Sequence, residues 1–205
     1  MKTKDLEKLF TDQDKQAIEV AIKRAEQKSS VEIVPCIIPI SDDYAHAYWK
    51  LLSIAMFLAL AISYFSLGIA LLSATVLVTA YITILPFRRR MIGRVFMDHR
   101  VWQKAKQVFL EEEIFLTKHR TGVLILISIF EREVAVLCDT QIYKMTDPKT
   151  WKDISDKLAD GMKANKPAET MLTAIEKIEA LVDGKALPEK DLQDNEISNT
   201  IRYRS

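Results

Sequence analysis

The sequence predicts a small α/β layer fold, with helices over both faces of a short mixed sheet, interrupted by a transmembrane helical hairpin. Three observations carry this. Helical and strand-like segments alternate on both sides of a long apolar insert. The stretch TGVLILISIF, residues 121–130, is apolar almost throughout, the pattern of a strand buried on both faces. Residues 51–87 contain none of the 29 Lys and Arg, 28 Asp and Glu, or 3 His of the chain.

That partition matters more than the averages. Over 205 residues the chain is 49% hydrophobic and 28% charged with a formal charge of +1, values typical of one globular domain. With every charge outside the insert, two solvents are implied: lipid for the middle and water for the flanks. The expected organisation is residues 1–47 as the first part of the domain, 48–87 as the hairpin, 88–182 as the second part, and 183–205 as a polar, partly disordered tail.

The first flank opens with TDQDKQAIEVAIKRAEQKSS, in which Thr11 stands as N-cap and Asp12 and Asp14 occupy the first turn. Ile18, Ala21, Ile22 and Ala25 fall on one face, so an amphipathic helix of about four turns is expected. VEIVPCIIPI, residues 31–40, follows as a β-branched strand, where Pro35 and Pro39 argue for an edge position or a bulge.

The insert divides into Leu51 to Leu67 and Ile69 to Phe87, with Gly68 between them. At about 1.5 Å per residue each leg approaches the ~30 Å hydrocarbon core, so two antiparallel helices joined through Ser66-Leu67-Gly68 fit better than one long helix. A soluble core helix normally carries a charged stripe, and neither leg has one. Tyr48, Trp49 and Phe87 stand where interfacial aromatics belong, and Ala59, Ala61, Ala70 and Ala74 would let the legs pack closely.

Lys50 precedes the first leg, and Arg88, Arg89, Arg90 and Arg94 follow the second, while the connector is uncharged. The positive-inside bias therefore predicts a two-pass protein of the inner (cytoplasmic) membrane, with the soluble domain and both termini cytoplasmic. MKTKDLEKLF has no apolar core of a cleaved signal, and an exported soluble part is the alternative. Ionisable groups within the legs, expected of a transporter or channel, are absent, so anchoring is the expected role. Arg88, Arg89, Arg90 and Arg94 are expected at the membrane surface against anionic headgroups.

Beyond the hairpin, Ile92, Val95, Phe96, Trp102, Ala105 and Phe109 recur at helical spacing, predicting one long amphipathic helix continuing out of the bilayer. The apolar strand 121–130 is followed by EREVAVLCD, a second strand, with Glu131 and Arg132 turning the hairpin between them. WKDISDKLADGMKA and KPAETMLTAIEKIEALV supply two further helices, Pro167 starting the last.

GVLILISIFEREVAVLCDTQI, followed by a Trp and an amphipathic helix, then a helix ending near Leu187-Pro188 and an Asn195-Glu196-Ile197 triplet, resembles the TPM domain family. LFTDQDKQAIEVAIKRAEQKSSVEIVPCI extends the likeness to residue 8, leaving out the hairpin. The resemblance implies a three-layer α-β-α sandwich. For its members it also implies acid phosphatase activity in some, binding of calcium or other divalent ions in some, and accessory roles for membrane complexes in others. Where those members place two acidic residues and an Arg after the second strand, this chain has Phe130-Glu131-Arg132, and Asp139-Thr140-Gln141-Ile142 lacks their Gly.

From the residues themselves, Asp42, Asp43, Glu131 and Asp139 are the candidate metal ligands, four carboxylates that could converge at one end of the sheet to hold calcium or magnesium. Arg132 is the candidate for phosphate or for an ion pair with these acids. His46, His99 and His119 have no paired-ligand spacing, and Cys36 and Cys138, on strands without C-x-x-C, are expected as buried reduced thiols. Glu111, Glu112 and Glu113 are expected as a solvated helix face. The five scattered glycines exclude a P-loop or dinucleotide fingerprint, and the near-neutral remainder gives nucleic acid no footprint. The expected partners are the lipid bilayer and an unidentified membrane protein. The expected function is a membrane-tethered binding or accessory module with no catalytic residue, and the alternative is a weak divalent-metal-dependent phosphatase.

Overall fold

The computed structural model describes residues 6–29, 31–64, 66–183 and 197–204. In chain order the elements are α1 (Asp12–Lys28), β1 (Glu32–Ile38), α2 (Ala45–Ser63), α3 (Leu67–Thr83), α4 (Leu85–Ile92), α5 (Arg94–Glu111), β2 (Gly122–Ser128), β3 (Glu133–Cys138), α6 (Thr140–Met145), α7 (Pro148–Lys163), α8 (Pro167–Val182) and β4 (Arg202–Tyr203). They form two compact units, Met1–Ser41 with Arg100–Ser205, and Asp42–His99. The second unit is wider than the 48–87 expected from hydropathy.

The first unit is a three-layer α/β sandwich around one mixed sheet, in the order β3-β2-β1-β4. β1 runs parallel to β2 and to β4, and β2 runs antiparallel to β3. The alternating side chains divide cleanly between the two faces. Ile33 and Ile37 of β1, Val123, Ile125 and Ile127 of β2, and Val134 and Val136 of β3 point into one core with α1, α7 and α8. Val34, Cys36 and Ile38, Leu124 and Leu126, and Ala135 point into the other, against Val101, Ala105 and Val108 of α5. β1 and β2 are buried along their whole length, which is why 121–130 shows no polar alternation.

Local chemistry fixes the ends. Thr11 Oγ1 accepts the Asp14 N–H at 3.1 Å while Asp14 Oδ2 accepts the Thr11 N–H at 2.9 Å, a reciprocal cap contributing about 1 kcal/mol to α1. Arg24 and Lys28 of α1 reach Glu179 of α8 at 2.9 and 2.6 Å, and Lys28, then Arg24, hold the Glu179 carboxyl below its ordinary pKa. Pro167 starts α8, as its fixed φ suits a first helical turn. At Gly122 an added Cβ would meet the Ile114 carbonyl oxygen at 2.6 Å, so the close approach of that loop requires glycine.

β1 is an inner strand, and its Pro35 is explained by parity. Residues 32 and 38 direct their hydrogen bonds to the β2 side, with the Glu32 N–H donating to Thr121 O and Ile38 O accepting from Ile129. Odd residues therefore face the β4 side, where Ile37 O accepts the Arg204 N–H at 3.1 Å. β4 pairs there with Cys36 and Ile37 and not with the start of β1. Pro35, without an N–H, thus faces a stretch that β4 does not pair, and the Ile33 N–H beyond it donates to Glu26 Oε1 at 3.1 Å. Glu26 Oε2 accepts from Asn199 Nδ2 at 2.7 Å, so this buried carboxylate closes the gap between the strand and the C-terminal segment.

One expectation about the helix faces changes. Residues 202–203 of the tail form β4 of the sheet; residues 184–196, with Leu187-Pro188 and Asn195-Glu196, lie outside the described residues. Glu111 and Glu112 do not form a merely solvated face: Glu112 pairs with Arg202 at 2.6 Å and Arg204 at 3.1 Å, and Glu111 pairs with Arg204 at 2.6 Å.

The second unit is built on α2 and α3. Ala55 and Ala70 are buried and Ala59 and Ala74 half-buried, but Ala61 is exposed. The outward surface is apolar: Phe57 is 70% exposed, Leu60 63% and Leu72 66%. α2 alone is long and apolar enough to cross a membrane, and α3 with α4 also qualifies as a pair bent by 97°. That bend and the break at Gly93, whose φ is 87°, replace the single continuous helix expected after the hairpin.

Candidate functional site

Glu131 lies in the four-residue turn between β2 and β3, at the C-terminal ends of β1 and β2. It is buried, 5% exposed, and accepts from the Ser41 N–H at 2.9 Å, from Ser41 Oγ at 2.6 Å and from Ser128 Oγ. The carboxylate thereby ties the β2–β3 turn to the end of β1, a charge-assisted tie stronger than neutral pairs would give. Arg132 adopts the left-handed conformation, φ 56°, that reverses the chain, and its side chain is exposed.

Asp139 stands at the other end. The Asp139 N–H donates to Gly122 O, at the start of β2. Its Oδ1 accepts from the Thr140 N–H at 2.5 Å and from Thr140 Oγ1 at 3.0 Å, capping α6, and Oδ2 forms an ion pair with Arg120 Nε at 3.0 Å. β3 separates Glu131 from Asp139. At about 3.4 Å per residue the strand holds them roughly 20 Å apart. The expectation that these two carboxylates meet at one end of the sheet is therefore corrected: they flank β3 rather than share an end. The pairing foreseen for Arg132 with this acid is made instead by Arg120.

Asp42 and Asp43 belong to the second unit. Asp43 Oδ1 accepts the N–H of Ala45, the first residue of α2, at 3.0 Å, and Asp43 O accepts from Arg88 at 3.4 Å. Among the described residues no three His, Cys, Asp or Glu side chains are grouped to hold a metal ion. Cys36 is buried and Cys138 partly so, both with free thiols, and burial pushes each pKa up to about 12. Neither is poised as a nucleophile.

Of the residues expected at the membrane surface, Arg88, Arg89 and Arg90 lie on α4 and Arg94 opens α5. Between Asp43 and Asp98 the chain has no acidic residue, and Lys50, Arg88, Arg89, Arg90 and Arg94 all lie there. The Arg88 guanidinium sits 5.9 Å from the centre of the Tyr81 ring, a cation–π distance. Arg90 and Arg94 are exposed. Ser41, Ser128 and Arg120 are the residues that sequence reasoning missed. A Ser or an Arg at a strand end carries no periodic signal, and only the register of β1, β2 and β3 shows what it faces.

A mixed sheet covered by helices on both faces defines an α/β sandwich domain. Residues 95–181 match the model of the TPM domain. The NMR structure of the BA42 protein from the psychrophilic bacterium Bizionia argentinensis is similar, with a TM-score of 0.59 and 18% identity over 94% of each chain, a likeness of fold. No curated protein matches the chain.

Proposed function

We propose that the protein is a two-pass membrane-tethered TPM module that binds and supports a membrane protein at the cytoplasmic surface. The observation that carries this is the surface of α2 and α3, which presents large apolar side chains outward without a charge from Leu51 to Phe87. A patch of this extent in water would be an aggregation liability, whereas in lipid it is satisfied. The hydroxyls agree with this reading. Those of Ser53, Ser63, Ser73, Thr75 and Thr83 donate to carbonyls of their own helices, so none of these five needs water.

Carbonate washing of native membranes tests the tether: the full chain is expected to stay in the membrane pellet, and release into the supernatant would overturn it. Purification of the full chain in a mild detergent tests the accessory role, with a stoichiometric membrane protein as the expected companion. Recovery of the chain alone would count against that role. The phosphatase reading needs carboxylates gathered around a cation. With Glu131 and Asp139 at opposite ends of β3, no observation favours it over a binding role.

A further inference from the structure

We propose that the edge of β1 beside Glu111 and Glu112 is a recognition site for an extended Arg-apolar-Arg segment of a membrane protein, and that the chain's own β4 occupies it as a displaceable strap. The partner named here rests on the membrane reading above; the site itself does not.

The resident strand shows what the site selects. β4 runs parallel to β1, with Arg202 opposite Cys36 and Tyr203 opposite Ile37, and the Arg204 N–H donates to Ile37 O at 3.1 Å. Residues two apart on a strand share a face, so Arg202 and Arg204 lie together. Glu112 divides its oxygens between them, Oε2 to Arg202 Nε at 2.6 Å and Oε1 to Arg204 Nη1 at 3.1 Å. Glu111 Oε2 takes Arg204 Nη2 at 2.6 Å. Tyr203 packs against the opposite core, the one shared with α1. Upstream of Cys36 the edge of β1 offers little to a strand: Pro35 has no N–H, and the Ile33 N–H is taken by Glu26. Selection therefore falls to the carboxylates, which match the forked guanidinium better than a lysine ammonium.

The strap fits its seat imperfectly. Among the described residues, Tyr203 Oη and Asn199 Oδ1 are buried without a hydrogen-bond partner. An unpaired buried hydroxyl costs an occupant roughly ten-fold in affinity relative to a phenyl ring. A cavity of about 290 Å3 stays open between Glu113 and Thr117 on one side and Ser198 and Arg202 on the other. An occupant with Phe at the middle position and a bulkier residue upstream of the first arginine would fill what β4 leaves. The cytoplasmic flanks of membrane proteins carry an excess of Lys and Arg, so such a segment is available where a chain tethered at that surface would meet it.

The test uses the full chain in mild detergent and fluorescein-labelled NTIRYRS, the sequence of residues 199–205, added in trans and followed by anisotropy. A resident strap lowers the apparent affinity by the fraction of time that the site is open. Arg202→Gln/Arg204→Gln, which removes the ion pairs of the strap and leaves the carboxylates in place, should tighten peptide binding roughly thirty-fold. Adding Glu112→Gln to that variant should abolish the gain. A peptide with Phe for Tyr should bind roughly ten-fold tighter than NTIRYRS, and one with Gln for both arginines should not bind. Tyr203→Phe in the chain itself, a conservative change within the fold, should weaken binding of NTIRYRS by a similar factor, because the strap then fits better. Equal binding by the wild-type chain and Arg202→Gln/Arg204→Gln would overturn the proposal. So would no binding to either, or binding that survives loss of the peptide's arginines. A chain that resists carbonate extraction yet ignores the peptide refutes the site alone. A chain that carbonate releases, but whose opened site binds the peptide, refutes the membrane protein as its partner.

Discussion

Replacing Glu112 by alanine should release the C-terminal strand while leaving the rest of the sheet intact. β4 pairs with β1 over two residues, Arg202 opposite Cys36 and Tyr203 opposite Ile37, too few to hold by backbone bonding alone. Glu112 holds both arginines of this segment, Arg202 at 2.6 Å and Arg204 at 3.1 Å. The side chains are only partly open to solvent: 21% for Glu112, 19% for Arg202 and 31% for Arg204. Hydrogen bonds to charged groups contribute about 1.5–3 kcal/mol where water is excluded, and exposed ion pairs about 0–1 kcal/mol. The remaining pair of Glu111 with Arg204 partly compensates. A net loss of about 2 kcal/mol follows for this local docking, which corresponds to roughly thirty-fold more frequent opening.

Amide hydrogen exchange of the full chain in detergent, followed by NMR at single residues, reads that opening. The Arg204 amide, bonded to Ile37 O at 3.1 Å, should exchange roughly thirty-fold faster in the variant. The Cys36 amide, directed by parity towards β2, should be unaffected. High salt applied to the wild-type chain should reproduce part of the effect by screening. Equal acceleration of both amides would mean that Glu112 supports the whole sheet, and no acceleration would mean that backbone pairing alone seats β4. Either result refutes the reasoning.

The Gly122→Ala substitution drives a methyl against Ile114, and the carbonyl oxygen 2.6 Å away cannot be relieved by a side-chain rotation; a loss of about 2–3 kcal/mol is expected, measured by urea unfolding. The two thiols provide an alkaline test. Because burial raises both folded pKa values to about 12 from an ordinary value of 9.0, the unfolded chain loses these protons first as pH rises. Their contribution is fully present below pH 9 and declines between pH 9 and 12, by up to about 1.4 kcal/mol per pH unit for each thiol. In Cys36→Ala/Cys138→Ala this decline should flatten, and an unchanged slope would refute the assignment. At pH 8 iodoacetamide should label neither thiol in the folded chain and both after denaturation.

Sequence alone determined the elements whose physics is local. The period of Ile18, Ala21, Ile22 and Ala25 and the cap at Thr11 specify α1, because a helix is closed by residues three or four apart. The apolar run at 123–127 announces a strand buried on both faces, and the absence of charge from 51 to 87 announces a separate unit. Tertiary structure decided everything that depends on which distant residues meet. Two consecutive strands do not say in advance which of their ends a turn acid will share, so Glu131 and Asp139 were expected together and stand at opposite ends of β3. Glu112 read as solvated because its partners lie some ninety residues away, at positions 202 and 204. The bend at Ile84, which sets α4 across α3, has no periodic signature either. Hydrophobic pattern is written in neighbours along the chain, whereas ion pairs, strand ends and bends belong to the packed whole.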